Sequence, residues 1–153
     1  MYVFCNKKIA NKKTTIKLHR LILNQLDSNI KVDHIDGIGL NNIRSNLRTG
    51  SQSDNMANLH SARIDNKSTG ILNISIDKRN GKFRPIVEIK KKRIYFKDYT
   101  NIEEAKMLIK YVRAKYIPYS QEYIDRENII NKTPILIANY ADIKVLQKIG
   151  GLQ

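Results

Sequence analysis

From Ile30 to Ile35 the chain reads as a β-like run, and it is stopped at once by Asp36-Gly37-Ile38-Gly39, where two glycines make positive φ available. That junction restricts the fold more than any other stretch. Successive residues of a regular strand point to opposite faces, so Asp33 and His34 can serve one site only where the strand ends or kinks. The turn directly after them provides such an end. A loop through Asn41 and Asn42 follows, Ser45 to Thr49 is expected to return as a short strand, and Ser51 to cap a helix running through Asn55 and Leu59, with Asp54 near its positive end. Upstream, residues 14 to 23 pass from β-branched alternation to apolar positions at Leu18, Leu21 and Ile22, which predicts a strand feeding a short helix.

A second texture begins after the polar, turn-rich Asp65 to Gly70, where a module boundary is expected. Ile71 to Ile76 alternates, Asn80-Gly81 is a type I′ hairpin signal, and Lys82 to Ile89 and Arg93 to Phe96 supply two further strands. Pro85 stands in what would be the central strand, where it removes a ladder donor, so a bulge or a shortened strand is expected there. Thr100 with Glu103 forms a capping box, and Ala105, Leu108, Ile109, Val112 and Tyr116 share one helical face until Pro118. Ile143, Leu146 and Ile149 suggest a closing helix. The expected fold class is α+β, organised as residues 1–66, residues 67–120 and a tail, 121–153.

Charge bounds the partners. Lys and Arg number 28 against 14 Asp and Glu, a formal net charge of +14 over 153 residues, which draws such a chain toward a polyanion. DNA, RNA and anionic lipid all qualify. No apolar run approaches the roughly 20 residues that span a bilayer, and the N-terminus lacks the apolar segment of a secretory signal, so an intracellular protein without a membrane partner is expected. Cys5 stands alone, which leaves no intramolecular disulfide and no Cys-x-x-Cys zinc pair. Any metal would rest on oxygen or imidazole ligands.

Breaking a phosphodiester needs a nucleophilic water, a cation against the charge that grows on phosphorane and leaving oxygen, and a means of holding both in line. Each part has a candidate. His34 suits the general base, since an unperturbed imidazole is largely neutral at working pH. Asn46, on the returning strand, could hydrogen-bond the imidazole nitrogen that does not touch water and so set its tautomer. Asn55, on the following helix, would bring its amide oxygen beside the Asp33 carboxylate. Two protein oxygens completed by phosphate oxygens and waters form a shell that Mg²⁺, or Mn²⁺, accepts. His34 by itself could equally be a packed or surface histidine; the three partners in register carry the argument.

These residues resemble the HNH endonucleases of the ββα-metal fold, in particular the homing endonuclease branch with Asn in place of the last His. The resemblance spans residues 14 to 60: Leu18-His19-Arg20-Leu21-Ile22, Val32-Asp33-His34-Ile35-Asp36-Gly37, Leu40-Asn41-Asn42, Ser45-Asn46-Leu47-Arg48 and Ser53-Asp54-Asn55. It implies that Asp33 and Asn55 bind the metal, that His34 is the base with Asn46 orienting it, and that cleavage leaves a 5′ phosphate and a 3′ hydroxyl. Residues Gly70 to Tyr116, with Asp77-Lys78-Arg79-Asn80-Gly81-Lys82-Phe83-Arg84, are similar to an AP2 DNA-binding domain, whose three-stranded sheet enters the major groove.

Alternation places Phe83, Val87 and Ile89 toward the helix and Arg84, Ile86 and Glu88 toward DNA. Arg20, Arg44, Arg48, Arg79, Lys82, Arg84, Lys91, Lys92 and Arg93 are the candidate phosphate contacts. Each is also ordinary solvated surface for a basic protein. The expected function is thus a divalent-metal-dependent double-stranded DNA endonuclease of mobile-element type, with no obligate protein partner. The rival is an AP2-like DNA binder with an inactive nuclease unit, and a third reading is an RNA-associated basic protein.

Overall fold

A computed structural model describes residues 1–9, 11–60, 62, 68–132 and 140–151. The protein is of the α+β class, and its described residues form three small antiparallel sheets and several helices. Its contacts divide it into two compact units, Met1–Asn58 and Leu59–Gln153. Half of the expected boundary, Asp65 to Gly70, lies outside the described residues.

In the first unit, β1 (Phe4–Ile9) pairs with β2 (Lys12–Lys17), which runs into helix α1 (Leu18–Ile22). Thus the strand feeding a short helix is present, and β1 is an addition that the sequence did not announce. Strand β3 (Lys31–His34) pairs with β4 (Leu47–Gly50) in the register Asp33 to Arg48 and His34 to Leu47. A single 3₁₀ turn, Arg44–Asn46, precedes β4. Helix α2 (Gln52–Ala57) then starts at Ser51, whose hydroxyl accepts from the Asp54 N–H while the Asp54 carboxylate accepts from the Ser51 N–H, a reciprocal cap. It ends at Ala57 with Asn58 as its C-cap, two residues before Leu59.

Apolar burial in this unit is slight: Ile16 and Leu47 are its buried hydrophobic residues among those described, and His19, His34 and Asn58 are buried with them. The two glycines of the 36–39 turn have different duties. Gly37 takes φ of +72°, whereas Gly39 is needed for space, because a Cβ there would lie 2.3 Å from the carbonyl oxygen of Met1.

The second unit is a sheet in the order β5 (Ile74–Ile76), β6 (Phe83–Ile89), β7 (Lys92–Tyr95), all antiparallel. Helix α3 (Ile102–Tyr116) packs on it, followed by α4 (Gln121–Ile124), α5 (Arg126–Lys132) and α6 (Tyr140–Gly150). All five residues of the expected helical stripe are buried, and Ile74, Val87, Ile89, Phe96, Tyr99 and Ile149 complete the core with them. A buried hydrogen bond of 2.5 Å from the Tyr99 hydroxyl to Asp142 ties α6 to the segment after β7. Burial first, and then Asp142 as acceptor, raises the Tyr99 pKa far above its ordinary value. Of the three positions that suggested a closing helix, Ile149 and Leu146 pack as expected, and the Ile143 side chain lies outside the described residues.

Two local expectations are corrected. The α3 cap is Asn101, whose side chain accepts from the Glu103 N–H, rather than Thr100. Asn80-Gly81 does not form a two-residue hairpin. Asp77 turns the chain early by accepting from the Arg79 N–H, so the connection runs from Asp77 to Lys82 and Gly81, with φ of +67°, closes it. The tight two-residue turn is Lys90-Lys91 instead, between paired Ile89 and Lys92, with both φ values positive. Pro85 sits in the central strand as written in the sequence. Its carbonyl accepts from the Phe96 N–H on the β7 side, so its missing donor faces the same way, and the β6–β7 ladder ends there, at Ile86 opposite Tyr95. The two segments pair once more through the backbone at Phe83 and Tyr99.

Candidate active site

The end of β3 presents Asp33 and His34, and the last turn of α2 meets them there. Asn58, buried at the C-cap, donates through Nδ2 to Asp33 Oδ2 at 2.7 Å and to the His34 carbonyl at 2.9 Å. This residue was missed in the sequence, although a signal was available. Asn55 and Asn58 are three apart, so they share a helix face, and the contact made by Asn58 puts Asn55 one turn back along the face that meets β3. The half-buried Asn55 side chain has no hydrogen-bond partner among the described residues.

Asp33 is not an open carboxylate. Its Oδ2 also lies 3.4 Å from Nη2 of Arg48, the residue opposite it in the β3–β4 register. Its other oxygen, Oδ1, takes no hydrogen bond from a described residue, so one carboxylate oxygen remains for a cation. Among the described residues no three His, Cys, Asp or Glu side chains gather. Asp33 Oδ1 and the Asn55 carboxamide are thus two oxygen donors without a hydrogen-bond partner among the described residues, and donors of this kind suit an ion that keeps most of its water, as Mg²⁺ does.

His34 is buried, with its ring 5.0 Å from that of His19 in an edge-to-face arrangement and 5.9 Å from that of Tyr2. Its Nε2 lies 3.3 Å from Asn42 Oδ1. A carboxamide oxygen only accepts, so Nε2 carries the proton and the lone pair of the neutral ring is left on Nδ1. The expected partner, Asn46, is elsewhere. Its Oδ1 accepts from the Asp36 N–H, and its Nδ2 donates to Asp36 Oδ1 and to the Asn41 carbonyl. The reason is its place in the 3₁₀ turn, one residue before the His34–Leu47 pair, where its side chain closes the 36–46 loop rather than crossing to the imidazole.

That loop is organised around Asp36. Against partial desolvation, bonds from the Ile38 N–H, Asn46 and Asn41 hold its carboxyl below the ordinary value. His19 is buried beside His34 in the first unit. Burial foremost, then His34, Lys17 and Arg20, lower its pKa to about 4, and its Nδ1 is buried without a hydrogen-bond partner.

The candidate phosphate contacts sort by what already holds them. Arg20 donates to the carbonyls of Asp27 and Ile30, Arg44 donates to the Ile22 carbonyl, and Arg48 is engaged with Asp33. In the second unit, Arg84 forms a two-pronged pair with Asp98 and also reaches Asp77, which holds Arg79 as well. The hydrogen bond from Arg79 is the main cause of a strongly lowered Asp77 pKa, and that from Arg84 of a lowered Asp98 pKa. Two arginines are thus offset by two aspartates. Lys82, Lys91, Lys92 and Arg93 are exposed and without ion pairs among the described residues. The sheet face away from α3 carries Arg84, Ile86 and Glu88, with exposed Tyr95 opposite Ile86 and Arg93 opposite Glu88.

Comparison with protein-family models, with curated proteins and with solved structures yields no match to this chain. Among the described residues no helix is long and apolar enough to cross a membrane.

Proposed function

We propose that the protein is a divalent-metal-dependent DNA endonuclease with an HNH-like, ββα-metal first unit and an AP2-like second unit that binds double-stranded DNA. One observation carries this reading: two antiparallel strands and the helix after them converge on Asp33 and His34, and Asn58 bonds to both residues. His34 takes the proton of the attacking water at Nδ1, with Asn42 fixing the protonated Nε2. Asp33 and Asn55 would hold Mg²⁺ or Mn²⁺, which would supply charge stabilisation at the phosphate. Asn58 sets the rotamer of Asp33, and Asn46 holds the loop that carries Asn41 and Asn42.

The rival, a DNA binder without cleavage, has one observation in its favour: the Arg48 guanidinium stands beside the carboxylate that would take the metal. Plasmid nicking with Mg²⁺ and with EDTA separates the two. The nuclease reading expects Mg²⁺-dependent nicks with 5′ phosphate ends; binding without nicking under both conditions establishes the rival.

A further inference from the structure

The free end of the β1–β2 hairpin takes no part in the site described above, and its composition is unusual for a sheet. From Met1 to Leu26 the chain holds six cations, Lys7, Lys8, Lys12, Lys13, Lys17 and Arg20, and no Asp or Glu. Four of them crowd the free end of the hairpin. Register sets Lys8 directly opposite Lys13, a like-charge pairing that weakens a strand pair. Lys7, Lys8, Lys12 and Lys13 are all exposed, and none has an ion-pair partner among the described residues. Alternation divides them, with Lys8 and Lys13 on the face where Thr15 bonds to Asn6, and Lys7 and Lys12 on the other. Both faces are therefore cationic at the same end.

Shape narrows the polyanion. Two six-residue strands make a ribbon about 20 Å long with backbones about 5 Å apart. The major groove of B-form DNA, about 12 Å wide, admits such a ribbon, whereas that of A-form RNA is too narrow. Lysines on both faces can then reach the phosphates that border the groove on either side.

We propose that the β1–β2 hairpin is a DNA-binding arm that enters the major groove of a B-form duplex, with Lys7, Lys8, Lys12 and Lys13 on the flanking phosphates. It deepens the endonuclease reading and rests on DNA being the partner. The test measures binding of the full chain to a mixed-sequence DNA duplex in EDTA, as a function of salt, for the wild type and for Lys8→Gln/Lys13→Gln. Loss of two phosphate contacts lowers the slope of log affinity against log salt by about two in magnitude. The thermal midpoint stays level or rises, since a repulsion has been removed. In the wild type, DNA protects the four lysines from acetylation, and an RNA duplex of the same sequence or anionic vesicles do not. An unchanged slope with all four lysines still reactive, or equal protection by RNA, overturns the arm while leaving the nuclease reading in place. Failure of the wild type to bind DNA at all overturns both.

Discussion

The two units are held together by different means. In the second, α3 lays a stripe of buried apolar residues on the sheet, and Ile149 of α6 completes the same core. In the first, the described residues bury only Ile16 and Leu47 as hydrophobic side chains, and order comes from carboxamide and carboxylate bonds around Asp36, Asn46 and Asn58. Directional bonds fix the angles of side chains in a way that apolar contact does not, so the unit with the poorer core is the better scaffold for chemistry. The cost is that each such bond has little redundancy.

The contrast can be broken most forcefully at the imidazole. His34→Ala is expected to lower the nicking rate by roughly 10² to 10⁴-fold, the usual contribution of a positioned base, while duplex binding in EDTA is retained. Cleavage unchanged in that variant, measured by single-turnover nicking, removes the assignment. Next in size, Leu108→Ala in α3 should cost roughly 2–5 kcal/mol of stability in the second unit, read from denaturant melts followed by probes within that unit. A loss well under 1 kcal/mol there would mean that apolar packing is not what holds it.

Asn58→Ala removes two bonds at the end of β3, and the Mg²⁺ concentration for half-maximal nicking should rise roughly 10- to 100-fold with a smaller change at saturating metal. A purely structural role would instead lower the rate equally at every Mg²⁺ concentration. Smaller again is a pH effect. His19 has a folded-state pKa of about 4, below its unfolded value near 6.5, so the unfolded chain binds the extra proton between those values. The stability of the first unit should be full above about pH 6.5 and fall by up to about 1.4 kcal/mol per pH unit toward pH 4. Melts of His19→Gln should lose most of that slope. The smallest change is Lys91→Gly, which relieves a side chain at φ of +63° and should add about 1 kcal/mol at most. A lower melting midpoint would contradict the turn geometry.

Legibility followed the kind of force at work. The α3 stripe and the cap at Ser51 could be read directly, because apolar periodicity and capping are local. So was the ending of a strand at Asp33-His34. Harder to read were places where one polar side chain chooses among several partners at similar distance: Asn46 bonds to Asp36 rather than His34, Asn42 takes the imidazole, and Asp77 captures the turn that Asn80-Gly81 was expected to make. β1 was hidden because Lys7 and Lys8 interrupt its alternation. Asn58 was overlooked beside Asn55, although their spacing puts the two on one face.

The place of Ile149 has a consequence for how the protein is made. The core of the second unit opens with Ile74 and is sealed by a residue 75 positions later, held near the sheet by Tyr99 and Asp142. A nascent chain that has released α3 but not α6 carries an uncovered apolar surface on the ribosome. Such an interval invites chaperone capture or self-association, and it closes only once α6 emerges from the exit tunnel.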